Sequence, residues 1–162
     1  MPETMSDGQP WPKVSIVTPS YNQGQFLEET IRSVLLQGYP NLEYIIMDGG
    51  STDNSVDIIR RYEPWLTYWV SRPDEGQADA IGRGLDLADG EILGWVNSDD
   101  LLLPHALHHA VRYLSNHPEH DCVVGGGLKI NESNQVMRSY LGMPAVVMGM
   151  RTALQAGWRA AR

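Results

Sequence analysis

Apolar positions along this chain switch repeatedly between the two-residue period of a strand and the helical period of 3.6 residues. Val14 to Thr18 is a short β-branched run closed by Pro19, which predicts a buried strand ended by a residue that cannot donate to a ladder. Phe26, Leu27, Ile31, Val34 and Leu35 then recur at helical spacing from about Gln25 to Gln37, with Glu28 and Glu29 near the start and Gly38 as the stop. Leu42 to Met47 reads as a second strand. Ser51 to Asn54 offers N-caps for a helix carrying Val56, Ile59 and Tyr62 that ends before Pro64.

The alternation continues. Thr67 to Val70 predicts a strand, and Ile81, Leu85 and Ala88 mark one face of a helix after Gly76. Ile92 to Val96 follows as a strand. Pro104 stands at the first turn of a helix carrying Leu107, Val111 and Leu114, and Cys122 to Leu128 is the next strand. Asn131 to Asn134 is a turn cluster between Gly127–Ile130 and Val136–Tyr140, which predicts a C-terminal hairpin, and a helix of unfixed extent is expected from Pro144. The fold class is therefore α/β, a mostly parallel sheet with helices on both faces.

Length changes this picture little: 162 residues with 42% hydrophobic content make one domain. Met1 to Pro12 is expected to be a loose, disordered leader, residues 13–128 the folded domain, and 129–162 a hairpin and tail. The single cysteine, Cys122, forms no internal disulfide and fits a reducing, cytoplasmic setting. Ser139 to Met150 is the longest nearly uncharged run and is too short and too rich in Gly and Pro to span a bilayer. A net charge of −8 argues against nucleic acid as a partner. Yet of the acidic residues only Glu132 lies beyond Asp121, where Lys129, Arg138, Arg151, Arg159 and Arg162 make the last quarter basic.

In an open parallel sheet ligands bind at the carboxyl ends of the strands, so the polar residues after each apolar run are the candidates. Four clusters stand there: Thr18 to Asn22, Asp48 to Asp53, Arg72 to Asp79, and Asn97 to Asp100. Asp99 and Asp100 repel one another at a strand end unless a cation or hydrogen bonds compensate them. Mn2+ or Mg2+, which use one or two carboxylates plus substrate phosphates, would let Asp99 bridge metal and diphosphate. Capping of the helix near Pro104 is the structural alternative for this pair.

The other clusters carry the same duality. Asp48 with Gly49-Gly50 could accept a hydrogen bond from a base N–H or a ribose hydroxyl, or could simply form a turn. Tyr21 offers a ring for stacking or for packing. Asp79 sits in a first helical turn, where the helix dipole alone stabilises it. His105 and His109, one turn apart, lack the Glu of an H-E-x-x-H pattern and receive no role. No G-x-G-x-x-G or G-x-x-x-x-G-K-[ST] loop occurs, which disfavours dinucleotide and P-loop chemistry.

Taken in order, these motifs resemble the family 2 glycosyltransferases, inverting enzymes of the GT-A fold. The opening strand and turn, Val14 to Asn22, resembles the family's nucleotide-contacting start, and Ile46 to Asp53 its second-strand signature. Gly76 to Ile81 resembles a helix-start motif facing the donor, and Gly94 to Asp100 the D-x-D metal site. The resemblance implies nucleotide-sugar binding by Thr18, Pro19, Tyr21, Asp48, Asp79, Asn97, Ser98 and Asp99, with Asp99 the metal ligand. It implies a sugar-nucleotide donor, UDP- or dTDP-linked, and a carbohydrate or lipid-linked acceptor, with peripheral association at the inner face of the membrane for the latter.

Two positions depart from the pattern: Gly49 stands where a second Asp is frequent, and Asn97 replaces the first Asp of D-x-D. Of the family's further acidic motif, which supplies the acceptor's base, only Glu132 remains, and its place in the turn cluster makes it a poor candidate, so the catalytic residue is unassigned and the tail reads as a truncated or altered acceptor region. A non-catalytic nucleotide-sugar-binding fragment is the alternative.

Overall fold

A computed structural model describes Thr4, Met5, residues 8–140 and residues 147–150. Strands and helices alternate as β1 (Val14–Ser20), α1 (Leu27–Leu35), β2 (Leu42–Asp48), α2 (Ser55–Tyr62), β3 (Tyr68–Ser71), α3 (Gln77–Leu87), β4 (Ile92–Trp95) and α4 (Ala106–Asn116). Then come β5 (Cys122–Val124), β6 (Gly127–Ile130), β7 (Val136–Tyr140) and β8 (Val147–Met150). The main sheet has the order β3-β2-β1-β4-β8-β5, and β6 with β7 forms a separate antiparallel pair. From β3 to β4 all pairings are parallel, as the near-continuous apolar strands require.

Both faces are covered. Val14 and Ile16 of β1 pack with Leu27, Ile31 and Val34 of α1, with Ile58 and Ile59 of α2, and with Leu107, Val111 and Leu114 of α4. On the other face Val17, Ile45 and Met47 meet Ala80, Ile81 and Leu85 of α3. Each large aliphatic side chain so buried contributes about 1.5–3 kcal/mol, which is what fixes the helices against the sheet. Gly84 allows α3 to come close: a β-carbon there would lie 2.4 Å from Val17 Cγ1.

Five expectations are corrected. Pro19 does not end β1, which runs on to Ser20. Ser20 O accepts from Gly49 N on the β2 side, whereas Val17 O accepts from Val96 N on the β4 side, so alternation turns Pro19 toward β4. The pairing with β4 has already ended at Val17 and Trp95, and the missing N–H costs no ladder bond. Pro104 likewise precedes its helix rather than entering it, because His105 takes a left-handed conformation with φ of 64° before α4 begins at Ala106.

The expected Cys122–Leu128 strand splits at Gly125 and Gly126, leaving β5 in the main sheet and β6 in the hairpin. Where a helix was expected from Pro144, β8 instead inserts antiparallel between β4 and β5. This strand closes a gap that would leave the edge of β4 unpaired, and Met148 is 2% exposed in the core. Residues 151–162 of the expected tail lie outside the described residues.

The segment before Lys13 is not loose where it is described. Trp11 is buried and meets Tyr39 and His108 edge-on, with ring centroids at 5.5 and 5.1 Å. The Tyr39 hydroxyl donates to Pro12 O at 2.7 Å. An aromatic anchor outweighs the Pro- and Gly-rich composition on which the expectation rested.

Candidate functional site

A cavity of about 640 Å³ opens at the carboxyl ends of β3, β2, β1 and β4. Because each strand delivers the loop that follows it, the sheet order also orders the lining. Pro73, Asp74 and Gly76 follow β3, Gly49 and Gly50 follow β2, Tyr21 and Gln23 follow β1, and Asn97, Ser98 and Asp99 follow β4. The site therefore has a β3–β2 end and a β4 end, with Tyr21, 60% exposed, between them.

At the β4 end Asp99 is exposed and has no hydrogen-bond donor among the described residues. Asp100 is turned away: it accepts from Asn97 Nδ2 at 3.0 Å, and burial, together with the neighbouring Asp99 charge, raises its pKa against that bond. The other end of the Asn97 amide accepts from Gln77 Nε2 at 2.8 Å, linking the loop to the start of α3. Ser98 is buried, and its carbonyl accepts from Thr30 Oγ1 at 2.9 Å, which ties the same loop to α1. Neither Asp caps α4, whose N-terminus has no side-chain cap.

One free carboxylate braced by a rigid loop suits an oxygen-loving divalent ion that completes its shell from a diphosphate. A full protein cage for such an ion is not formed here, since the cation-ligand cluster found among the described residues lies elsewhere in the chain.

At the β2 end the Asp48 carboxylate is spent on its own loop. It accepts from Gly50 N at 3.1 Å, Ser51 N at 2.9 Å and the Ser71 hydroxyl at 2.6 Å, and only 2% of the residue is exposed. Gly50, with φ of 84°, lets the backbone fold back over that carboxylate. Asp48 thus shapes the cavity without lining it.

The same holds for two more of the expected site residues. Thr18 is fully buried, its hydroxyl 3.0 Å from the Tyr44 hydroxyl. Asp79 is paired with Arg83 at 2.7 Å and accepts from Glu75 N at 3.1 Å, so it closes the β3–α3 loop from behind. Pro19, Tyr21, Asn97, Ser98 and Asp99 do line the cavity.

Ser20 and Asp74 fall within the candidate clusters of the sequence but receive no role there, and both line the cavity. Ser20 is 4% exposed, yet its hydroxyl has no hydrogen-bond partner among the described residues, a cost of about 1–3 kcal/mol unless a ligand supplies one. Asp74 accepts from Gly76 N at 2.8 Å through one oxygen and turns the other toward Gly49. Neither carries a signal of its own in the sequence, because both are ordinary turn residues until the sheet brings the loops together.

Asp99 also borders a second cavity of about 610 Å³ between the start of α1 and the β6–β7 turn. Phe26 offers an apolar face there, and Gln25, Glu29 and Glu132 offer polar groups. Asn134 Nδ2 donates to Glu29 Oε2 at 3.1 Å and holds the turn against the helix.

The comparisons agree with this architecture. An uncharacterised glycosyltransferase of Mycobacterium tuberculosis is 39% identical over 106 residues, covering 64% of this chain and 40% of the relative. Another, from Nostoc sp., is 34% identical over 102 residues, covering 61% of this chain and 32% of the relative. The chain thus spans well under half the length of these relatives.

Among solved structures, the mannosyltransferase PcManGT of Pyrobaculum calidifontis, in complex with GDP-Man and Mn2+, superposes with a TM-score of 0.73 at 24% identity, over 90% of this chain and 46% of that one. TarS of S. aureus in complex with UDP-GlcNAc gives 0.73 at 22% identity, over 90% and 47%. These likenesses establish the GT-A type of fold. The model of the family described as glycosyl transferase family 2 matches residues 15–160, nearly the whole chain, and the protein belongs to that family.

Proposed function

We propose that this chain binds a sugar-nucleoside diphosphate, UDP- or dTDP-linked, along the strand ends and takes part in its inverting transfer to an acceptor hydroxyl. The observation that carries the reading is the single cavity that runs from the Asp74–Gly49 end to the unpartnered Asp99. The base belongs at the β3–β2 end beside Tyr21, and the diphosphate belongs at Asp99. Ser20 would then gain a partner from the ligand. Thr18, Asp48 and Asp79 act from behind the cavity wall by holding its loops.

Mn2+ or Mg2+ held by Asp99 and the diphosphate would offset the charge on the departing group, in keeping with the Mn2+ bound to the mannosyltransferase neighbour. Ser98 and Asn97 keep the Asp99 loop in place through α1 and α3, so that ligand need not order it.

The acceptor enters by the second cavity, on the far side of Asp99. There a carbohydrate can stack on Phe26 and hydrogen-bond to the surrounding carboxylates and amides. Its hydroxyl oxygen forms the bond to the anomeric carbon as the bond to the diphosphate breaks, and the hydroxyl proton passes to a base. Glu132, set aside in the sequence as a turn residue, borders this cavity and is our candidate for that base. A lipid-linked acceptor would bring the chain to a membrane surface. No helix among the described residues is long and apolar enough to cross one.

The test is UDP binding and acceptor-dependent UDP release with UDP-sugars and Mn2+ for wild type and Glu132→Gln. Binding that is unchanged, with release lowered about a hundredfold, is the expected result. Equal release by both would remove Glu132 as the base, and a wild-type chain that fails to bind any of UDP, dTDP or their sugars would overturn the donor reading.

A further inference from the structure

At the C-terminal end of α4, away from the donor cavity, His117, Glu119 and His120 turn their side chains toward one another. His117 Nδ1 lies 3.2 Å from Glu119 Oε1, and His120 Nε2 lies 3.9 Å from the same oxygen. All three ligand atoms fall within 4.8 Å of one another. A tetrahedral zinc site, with bonds of about 2.0–2.1 Å, needs ligand separations of about 3.3 Å, so shifts well under the length of one bond would close this set around an ion.

Tyr113 supplies a second and independent feature. Its hydroxyl is 2.9 Å from His120 Nδ1, so the proton on that nitrogen can be held by the phenol while Nε2 keeps its lone pair toward Glu119. The Tyr113 ring also lies against His117, with centroids 4.5 Å apart, and stacks on His120 at an interplanar angle of 18°. Pro118 fixes the backbone between two of the ligands. The helix end adds the negative pole of the α4 dipole, which favours a cation here.

The donor set also says which cation. Two imidazoles with one carboxylate suit Zn2+ and are a poor match for Mg2+ or Mn2+, which prefer oxygen. Because α4 begins just after the Asp99 loop and runs for 11 residues, its two ends are about 16 Å apart. The two ion sites would be separate in place and in chemistry.

We propose that His117, Glu119 and His120 form a three-ligand zinc site, with Tyr113 orienting His120 and the fourth position open to water, that clamps the end of α4 to the turn leading into β5. Such a clamp would brace β5, a three-residue edge strand held on one side only.

Zinc uptake by the untagged chain, measured by competition with a chromophoric indicator in the presence of excess Mg2+, tests this directly. We expect one zinc per chain and a raised thermal midpoint on adding Zn2+. Uptake is lost in the His117→Ala/His120→Ala double variant and weakened about tenfold or more in Tyr113→Phe. It persists in Asp99→Ala and in His105→Ala/His109→Ala. All the altered side chains are partly or fully exposed, and circular dichroism verifies that each variant is folded. Equal zinc uptake by the double variant and wild type, or the absence of any stoichiometric uptake by wild type, would overturn the proposal.

Discussion

Asp74 Oδ2 stands 2.9 Å from the point that a β-carbon on Gly49 would occupy. The two residues come from different loops, after β3 and after β2, and share one side-chain space at the β3–β2 end of the cavity. Where the family pattern frequently has an Asp at the Gly49 position, this chain brings a carboxylate into the same space from its neighbour.

That relationship predicts a relocation that restores function. In Asp74→Asn the amide oxygen can still accept from Gly76 N, while the other side becomes a donor that opposes the N3–H of uracil. UDP affinity should fall about tenfold, with CDP affected less. The φ of Gly49 lies outside the left-handed region, so a side chain is tolerated there once Asp74 is shortened, and the Gly49→Asp/Asp74→Ala pair should recover UDP binding. Calorimetric affinities that are equal for wild type and Asp74→Asn would refute this assignment.

Asp48 makes a different prediction, because its carboxylate holds the loop rather than the ligand. Asp48→Ala strands two backbone N–H groups and the Ser51 and Ser71 hydroxyls, and should cost about 3–5 kcal/mol in urea unfolding. UDP affinity should fall with it, even without metal. A variant of unchanged stability that binds UDP less well would instead make Asp48 a direct ligand.

His108 makes the fold sensitive to pH below neutrality. It is 8% exposed, packed against Trp11 and Tyr39, and neither ring nitrogen has a partner among the described residues. Burial, aided by His105, Arg112 and His109, lowers its pKa below the ordinary 6.5. The unfolded chain then binds the extra proton first, so this contribution is complete above about pH 6.5 and is lost as pH falls from there toward the folded value. Thermal midpoints should drop between pH 7.5 and 5.5 in wild type and drop less in His108→Leu. Parallel pH profiles for the two proteins would disprove it.

Much of this was legible in the sequence for a simple reason: parallel strands buried on both faces write themselves as apolar runs, and the polar residues that end them must lie at one edge. Tyr21, Asn97, Ser98 and Asp99, all of which line the cavity, are legible that way. The pairing of Asp79 with Arg83, four residues on, was also readable as a helical ion pair and would have drawn Asp79 away from the ligand.

What escaped depends on long-range packing. Ser20 becomes an orphaned hydroxyl only once its neighbours are in place, and Asp74 gains meaning only against Gly49. The segment from Pro144 reads as a helix because nothing local shows that β4 lacks a partner. Trp11 reads as part of a leader because one aromatic outweighs its Pro- and Gly-rich surroundings only when its pocket exists.

On the function proposed above, Asp99 and a divalent ion together hold the donor diphosphate. Calorimetric titration of UDP in Mn2+ and in EDTA, for wild type and Asp99→Ala, tests it most directly. Binding should fall by about a hundredfold in EDTA and equally in Asp99→Ala with Mn2+ present, while EDTA should have little further effect on the variant. Undiminished UDP affinity in EDTA, or an Asp99→Ala chain that still responds to Mn2+ as wild type does, would contradict it.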